Sequence, residues 1–186
     1  MGCKKKYLWL TNLLMERAQQ FQQLIDEYNG ILYKIGRSYT RDEEDFKELY
    51  QEMLVQLWSA YGRFRGDAKV STWLYRVALN TAITYQKKKK RLKVQELEPK
   101  AYRLADTSAA QLALEQQRAS QVELLYHCIY QLKKDDRAII LLHLEEKSYQ
   151  EMADILGITV NHVGVKINRA RKRLFRLLQA EGYERI

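Results

Sequence analysis

The sequence predicts an all-α protein in which a flexible linker joins two small helical domains, the second containing a helix-turn-helix. Pro99 is the single proline and only eight glycines occur in 186 residues, which suits helices because neither residue is tolerated well in a helix interior. Apolar residues recur at helical spacing through most of the chain, and no stretch alternates convincingly as a strand would. A hydrophobic content of 46% is enough for a packed core.

The first domain, residues 1–92, is predicted to hold three helices. Helical periodicity runs from Phe21 to Tyr39, breaks at Thr40-Arg41-Asp42, and resumes from Phe46 to Tyr61 on a helix whose outer face is acidic. A loop with two glycines and three cations follows. Ser71 or Thr72 is then placed to cap a third helix that runs into five consecutive cations, Lys87 to Arg91.

This third helix has two different faces. Helical spacing brings Arg76, Asn80, Ile83 and Lys87 to one side, whereas Leu74, Val77, Ala78 and Thr81 line the other. The amide of Asn80 offers a donor and an acceptor, and buried amides need partners for both, so we expect Asn80 to face outwards. Trp73 at the start of the helix suits either a core position or a nucleic-acid contact.

Residues 93–111 contain Pro99 and, near their end, the small-residue run T-S-A-A, and we interpret them as the linker. The second domain, residues 112–186, begins with a periodic stretch to Leu132, after which Asp135 or Asp136 is placed to cap the next helix.

A helix-turn-helix is predicted near the carboxyl end. Ser148 and Glu151 form a capping box, Gly157 occupies the position of a left-handed helix end, and Thr159 is placed to cap the following helix. That helix has an apolar stripe on one face and polar or basic residues on the remaining faces, which is the pattern of a recognition helix. The stripe consists of Val163, Ile167, Ala170 and Leu174.

Positive charge is concentrated in two places. Residues 71–91 and residues 161–178 each carry six basic residues and no acidic one, which leaves 20 basic and 23 acidic residues elsewhere. Two separate basic surfaces on an otherwise slightly acidic chain indicate two polyanion-binding sites.

Other classes of protein are disfavoured. No Gly-rich phosphate loop, paired metal ligands or nucleophile motif is present, so we expect neither an enzyme nor a cofactor. Cys3 and Cys128 give no disulfide framework and suit a reduced, cytoplasmic compartment. The apolar stretch near the amino terminus is too short and polar for membrane insertion.

The order of these motifs resembles a small bacterial sigma factor of the extracytoplasmic-function group. The resemblance covers roughly residues 20–91 and 112–178: an acidic amphipathic helix, a Gly-containing loop, S-T-W-L-Y-R-x-A-x-N-T-A, a linker, and a helix-turn-helix ending R-A-R-K-R-L. It implies a promoter-recognition subunit without catalytic chemistry. The implied partners are the RNA polymerase core (the clamp of the largest subunit and the flap of the second largest), promoter DNA in duplex and single-stranded form, and an anti-sigma factor.

The resemblance also implies three sets of contact residues. A polymerase surface would comprise Asp45, Gln51, Glu52, Leu54, Val55 and Trp58. A minus-10 surface, where the family holds a flipped base in the loop, would comprise Arg63, Phe64, Lys69, Ser71, Thr72, Trp73, Arg76, Asn80, Lys87 and Lys88. A minus-35 surface that reads duplex DNA would comprise Thr159, Asn161, His162, Val165, Lys166, Arg169, Arg171 and Arg173.

Two alternative functions remain open from the sequence. A stand-alone helix-turn-helix regulator would bind duplex DNA without polymerase and have an apolar ligand cavity. A membrane-surface protein would use the amphipathic helices and basic runs to bind anionic lipid.

Overall fold

The computed structural model of the chain describes the backbone of residues 2–93 and 111–183 and the side chains of residues 14–91 and 120–183. Within these ranges it contains helices and no strand, which confirms the predicted all-α class. The helices are α1 (Gly2–Tyr39), α2 (Glu43–Tyr61), α3 (Val70–Lys93), α4 (Gln111–Gln131), α5 (Lys134–Leu144), α6 (Tyr149–Leu156) and α7 (Val160–Ala180). Most of the predicted linker, residues 94–110, lies outside the described residues.

Helices α1, α2 and α3 pack against one another as a bundle. Helix α2 begins where the sequence indicates, because the Asp42 side chain accepts a hydrogen bond of 2.7 Å from the backbone N–H of Asp45. Acidic residues in its first turn add a favourable interaction with the helix dipole. The apolar stripe of each helix forms the core, with Leu32, Ile35, Leu49, Met53, Leu57, Leu74 and Ala78 buried.

Helices α4 to α7 form the second group, and the predicted helix-turn-helix is confirmed. The capping box of Ser148 and Glu151 starts α6, Gly157 ends it with φ of 65° in the left-handed region, and the Thr159 hydroxyl accepts from the backbone N–H of His162. The turn between α6 and α7 is therefore short. The predicted stripe of α7 is buried against the rest of the group: Val163, Ile167, Ala170 and Leu174.

Two predicted helix caps are wrong. Helix α3 begins at Val70, so Ser71 and Thr72 lie within its first turn. The N-cap position of α5 is Lys133, which makes no side-chain capping bond, and Asp135 and Asp136 lie in the first turn. Asp136 instead turns inwards, where its carboxylate binds two arginines of α7, and this long-range pairing outweighs a local cap.

The two helical groups pack directly against each other. Helix α1 contacts α4 and α5, and α3 contacts α6. The Tyr39 hydroxyl donates a hydrogen bond of 3.1 Å to the carbonyl of Lys134. The buried guanidinium of Arg137 lies between the rings of Tyr39 and Tyr130, with its central carbon 4.7 Å from each ring centroid.

No helix in the described ranges combines the length and the apolar composition needed to cross a bilayer.

Candidate nucleic-acid interface

A groove lies where the end of α2, the loop of residues 62–69 and the start of α3 meet. It has a volume of about 460 Å³, and five residues of the predicted minus-10 surface line it: Arg63, Phe64, Thr72, Trp73 and Arg76. The rings of Phe64 and Trp73 lie against each other with centroids 4.9 Å apart. Trp73 is half-buried, so it both packs the loop onto α3 and faces the groove. A cavity with aromatic and cationic walls suits an unstacked base and its phosphate.

The groove also contains residues that the sequence prediction missed. Gln56, Ser59 and Arg65 line it. Gln56 and Ser59 interrupt the acidic and apolar pattern of α2 on the side next to the loop, and Arg65 is one of the three loop cations. Their positions at the carboxyl end of α2 and in the loop are the signal by which sequence reasoning could have included them.

Helix α3 presents most of its two predicted faces, except that Ile83, predicted to face outwards, is half-buried against the core and Val77 is only half-buried. Arg76, Asn80 and Lys87 are exposed, whereas Leu74, Ala78 and Thr81 are buried. Lys88 is exposed at the far end, next to Lys89, which instead binds the carboxylate of Asp45 on α2. The predicted minus-10 residues therefore extend from the groove along one side of α3.

Two cations of the minus-10 surface make contacts with the second helical group. The ammonium of Lys69 lies 2.9 Å from the Glu151 carboxylate, and the guanidinium of Arg76 donates to the backbone carbonyl of Asp154. The hydrogen bonds from Lys69 and from the N–H and hydroxyl of Ser148 lower the pKa of Glu151 from 4.5 to about 2. Helix α6 is thus seated on the amino-terminal part of α3.

The predicted minus-35 residues lie at the start of α7 and along it, off its buried stripe. Thr159, Asn161, His162 and Val165 are exposed around its first turns, and the half-buried Lys166 and the exposed Arg169 and Arg171 follow. An exposed helix start with polar side chains is able to reach base edges in a major groove. Tyr149 of α6 lies 3.5 Å from the position that a Cβ atom would take at Gly164.

Arg173 differs from the other residues of the minus-35 surface. It binds Asp136, whose side chain is only 1% exposed, and Arg169 approaches the same carboxylate at 3.5 Å. These contacts join α7 to α5, so Arg173 has a structural role that the sequence prediction did not include.

The predicted polymerase surface lies on α2. Gln51, Glu52, Val55 and Trp58 are exposed and Leu54 is half-buried. Asp45 is buried and paired with Lys89, so it stabilises the junction of α2 and α3, and it is not available as an exposed contact in this arrangement.

Trp58 on this surface is supported by α1. The Phe21 ring packs edge-on against it with centroids 5.1 Å apart, and the Arg17 guanidinium lies 5.0 Å from the ring centroid. No sequence motif indicated a role for Arg17.

Within the described residues, no group of three or more His, Cys, Asp or Glu side chains is placed to hold a metal ion.

Two family models match the chain. The model for sigma-70 region 2 matches residues 24–92, which include the groove and the exposed face of α3, and the model for sigma-70 region 4 matches residues 123–174, which include the helix-turn-helix.

Curated relatives match over most of their length. The chain is 28% identical over 181 residues to an RNA polymerase sigma-H factor of Pseudomonas aeruginosa, covering 89% of this chain and 92% of the relative. It is 29% identical over 160 residues to the ECF RNA polymerase sigma factor SigM of Mycobacterium tuberculosis, covering 85% of this chain and 76% of the relative.

Solved structures have the same architecture. CnrH in complex with the cytosolic domain of CnrY aligns with a TM-score of 0.58 and 25% identity, over 88% of this chain and 90% of that one. The sigma factor RpoE of Bartonella quintana, in complex with the anti-sigma factor NepR, aligns in fold with a TM-score of 0.66 and 21% identity, over 87% of this chain and 98% of that one. The two region models match in the order that the motifs predicted, and the relatives match over most of the chain. The chain therefore belongs to the extracytoplasmic-function sigma factors, the alternative sigma factors of bacterial RNA polymerase.

Proposed function

We propose that this sigma factor divides promoter recognition between its two domains in the cytoplasm, with no catalytic chemistry of its own. Residues 1–92 bind core polymerase through the exposed face of α2 and hold separated minus-10 bases with the groove and α3. Residues 112–186 read the minus-35 element as duplex through α7, and the predicted linker, residues 93–111, spans the distance between them.

The observation that carries this proposal is the position of the groove beside the exposed face of α3. Phe64 and Trp73 offer ring faces at one end, and Arg76 and Asn80 follow within about two turns. Single-stranded DNA needs this combination of π-faced side chains, base-edge donors and acceptors, and cations for the phosphates. A duplex reader such as α7 has a helix start with exposed polar groups instead.

An anti-sigma factor is the proposed regulatory partner. The solved relative RpoE is in complex with the anti-sigma factor NepR, and CnrH with the cytosolic domain of CnrY. The exposed apolar and acidic face of α2 offers such a partner a surface that overlaps the polymerase surface.

Run-off transcription with purified core polymerase and a promoter library tests the proposal. We expect initiation from a subset of promoters, weak DNA binding by the protein alone and strong binding with core. Specific duplex binding without core would favour the stand-alone regulator, and flotation with anionic liposomes would favour the membrane-surface protein. Failure both to bind core and to direct initiation would rule out the proposed function.

A further inference from the structure

Helix α7 carries an apolar side chain in the middle of its exposed, basic face. Val165 is 68% exposed, which is the highest exposure of any large hydrophobic side chain among the described residues. Residues two positions apart on a helix point in nearly opposite directions, and both Val163 and Ile167 are buried. Val165 therefore points directly away from the core of its domain, towards the side on which a DNA duplex would bind.

Polar side chains surround Val165 on this face. Asn161 and His162 lie one turn before it, Asn168 and Arg169 lie one turn after it, and all four are exposed. Val165 is the one apolar member of the group. An exposed helix face favours polar residues, and valine is a weaker helix former than alanine or the long polar residues. Neither solubility nor helix formation therefore accounts for a valine at this position.

The residue before Val165 leaves room beside it. Gly164 lies between Asn161 and Asn168 on the helix surface, and among the described residues a Cβ atom there would approach Tyr149 alone, at 3.5 Å from its ring. Glycine destabilises a helix interior relative to alanine, and it is favoured where a ligand comes close to the backbone. The gap allows the two amides and the short valine side chain to reach a surface held against α7.

The base edges in a major groove present one apolar group, which is the 5-methyl group of thymine. A valine side chain that contacts this methyl group removes apolar surface of both partners from water. Asparagine amides bond the N6 and N7 atoms of adenine, so a valine placed between Asn161 and Asn168 suits a T·A pair. A lysine or arginine in place of Val165 would instead suit guanine, whose O6 and N7 atoms both accept hydrogen bonds.

We propose that Val165 is a specificity-determining residue of the minus-35 surface, which contacts the 5-methyl group of one thymine and so selects a T·A pair within the element. This inference rests on the proposed function of α7 as the reader of duplex DNA. Because the contact joins the valine to a single methyl group, removal of either partner should have the same effect on affinity, and removal of both should cost no more than removal of one.

The test uses the full chain bound to core polymerase, with a promoter that this complex selects from the library by transcription. Each thymine of the minus-35 element, on either strand, is replaced in turn by deoxyuridine, which lacks only the 5-methyl group. Deoxyuridine in place of a thymine between the minus-35 and minus-10 elements is the control for the DNA. Fluorescence anisotropy measures the affinity of the complex for each duplex.

The protein variant is Val165→Ala, which removes the Cγ methyl groups and keeps the helix, since alanine is a stronger helix former than valine. The matched control is Val122→Ala, the same substitution at a valine of α4 that is 51% exposed. Both variants keep the charge of the chain, so the part of the affinity that comes from phosphate contacts is unchanged. Thermal melts followed by circular dichroism show whether both variants fold as the wild type does.

We expect deoxyuridine at one thymine position to lower the affinity of the wild-type complex about fourfold, which is the effect of one methyl group left in water. Val165→Ala should lower the affinity for the unmodified promoter by a similar factor and be insensitive to deoxyuridine at that position. Val122→Ala should keep the full deoxyuridine effect. Equal sensitivity of the two variants to deoxyuridine overturns the inference. A wild-type complex that tolerates deoxyuridine at every position, or that selects an element without a T·A pair, also overturns it.

The proposed function has a separate readout. If wild-type protein with core polymerase starts no transcription, the proposed function fails, while duplexes selected by the full chain alone still report whether Val165 and a thymine methyl group are coupled. If transcription is normal and the effects of deoxyuridine and of Val165→Ala are independent at every position, only the further inference fails.

Discussion

Arg173 on α7 binds the carboxylate of Asp136 on α5, and this carboxylate is almost completely enclosed, with 1% of its side chain exposed. A buried anion depends on its partner, because an unpaired charge inside a protein is strongly unfavourable. The pair therefore ties the proposed recognition helix to the core of its own domain.

The Asp136–Arg173 contact predicts a loss of stability. Asp136→Asn should lower the free energy of unfolding by roughly 1–3 kcal/mol, since the anion that holds two arginines is lost. Asp135→Asn, one residue earlier and exposed, should change it by less than about 1 kcal/mol. Urea denaturation of both variants measures the difference, and equal effects would mean that the buried pair is energetically neutral.

Arg171 and Arg173 should differ in what they contribute to duplex binding. Arg171 is exposed, so Arg171→Ala should leave stability unchanged and lower the salt dependence of duplex binding by about one phosphate contact. Arg173→Ala should lower the stability of the fold in addition to the salt dependence of duplex binding, because Arg173 binds the buried Asp136 carboxylate. Anisotropy titrations over a range of salt concentrations, with thermal melts of both variants, separate the two effects. An unchanged salt slope for Arg171→Ala would remove it from the minus-35 surface.

Asn80 is the residue of α3 with which we expect to separate DNA opening from the other activities. Its side chain is exposed, so Asn80→Ala should change stability by less than about 0.5 kcal/mol. Loss of its base-edge contact should weaken promoter opening by about tenfold, at roughly 1–3 kcal/mol per good polar contact. Permanganate footprinting measures opening and co-purification measures core binding. Loss of core binding in this variant would show that Asn80 is structural.

Charge reversal on α2 should act differently at two acidic positions. Glu52→Lys, on the exposed face beside Val55, should weaken core polymerase binding while the fold is kept. Asp45→Lys should destabilise the first domain, because it places a second cation beside Lys89 at a buried position. Core-binding assays and circular dichroism distinguish these results. Normal core affinity in Glu52→Lys would place the polymerase surface elsewhere.

The low pKa of Glu151 predicts how its contribution to stability depends on pH. Because folding lowers this pKa from 4.5 to about 2, the contribution is complete above about pH 4.5 and is lost as the pH falls towards 2. The difference in unfolding free energy between wild type and Glu151→Gln should therefore be constant from about pH 7 to 5 and decrease below that. Urea titrations at a series of pH values measure it. A difference that does not depend on pH would contradict this pairing.

Local features of the fold were accessible from the sequence because local rules determine them. The stripe from Val163 to Leu174, the capping box at Ser148 and the left-handed Gly157 each follow from spacing within a few residues, and all three predictions were confirmed. The exposed face of α3 with Arg76 and Asn80 was found in the same way.

Contacts between distant segments were not accessible. Lys69 and Glu151 are separated by 82 positions, and a chain with 32 cations and 23 anions allows far too many pairings for charge alone to select one. The same limit explains why Asp136 was assigned to a cap and Asp45 to an exposed face. In both cases a partner on another helix decides where the carboxylate lies.

The position of Arg137 affects how readily the two helical groups part. Its guanidinium is enclosed between Tyr39 and Tyr130, donates to the carbonyls of Ile129 and Leu132, and leaves one terminal nitrogen without a hydrogen-bond partner among the described residues. Burial lowers the pKa of this group, which reflects the energetic cost of dehydrating a cation. If the two helical groups separated, water would solvate that nitrogen, and this would offset part of the free energy lost with the contacts of the seam. An apolar side chain in the place of Arg137 would gain no such solvation on separation, so the free energy of parting the two groups is lower at this position than it would be for an apolar contact.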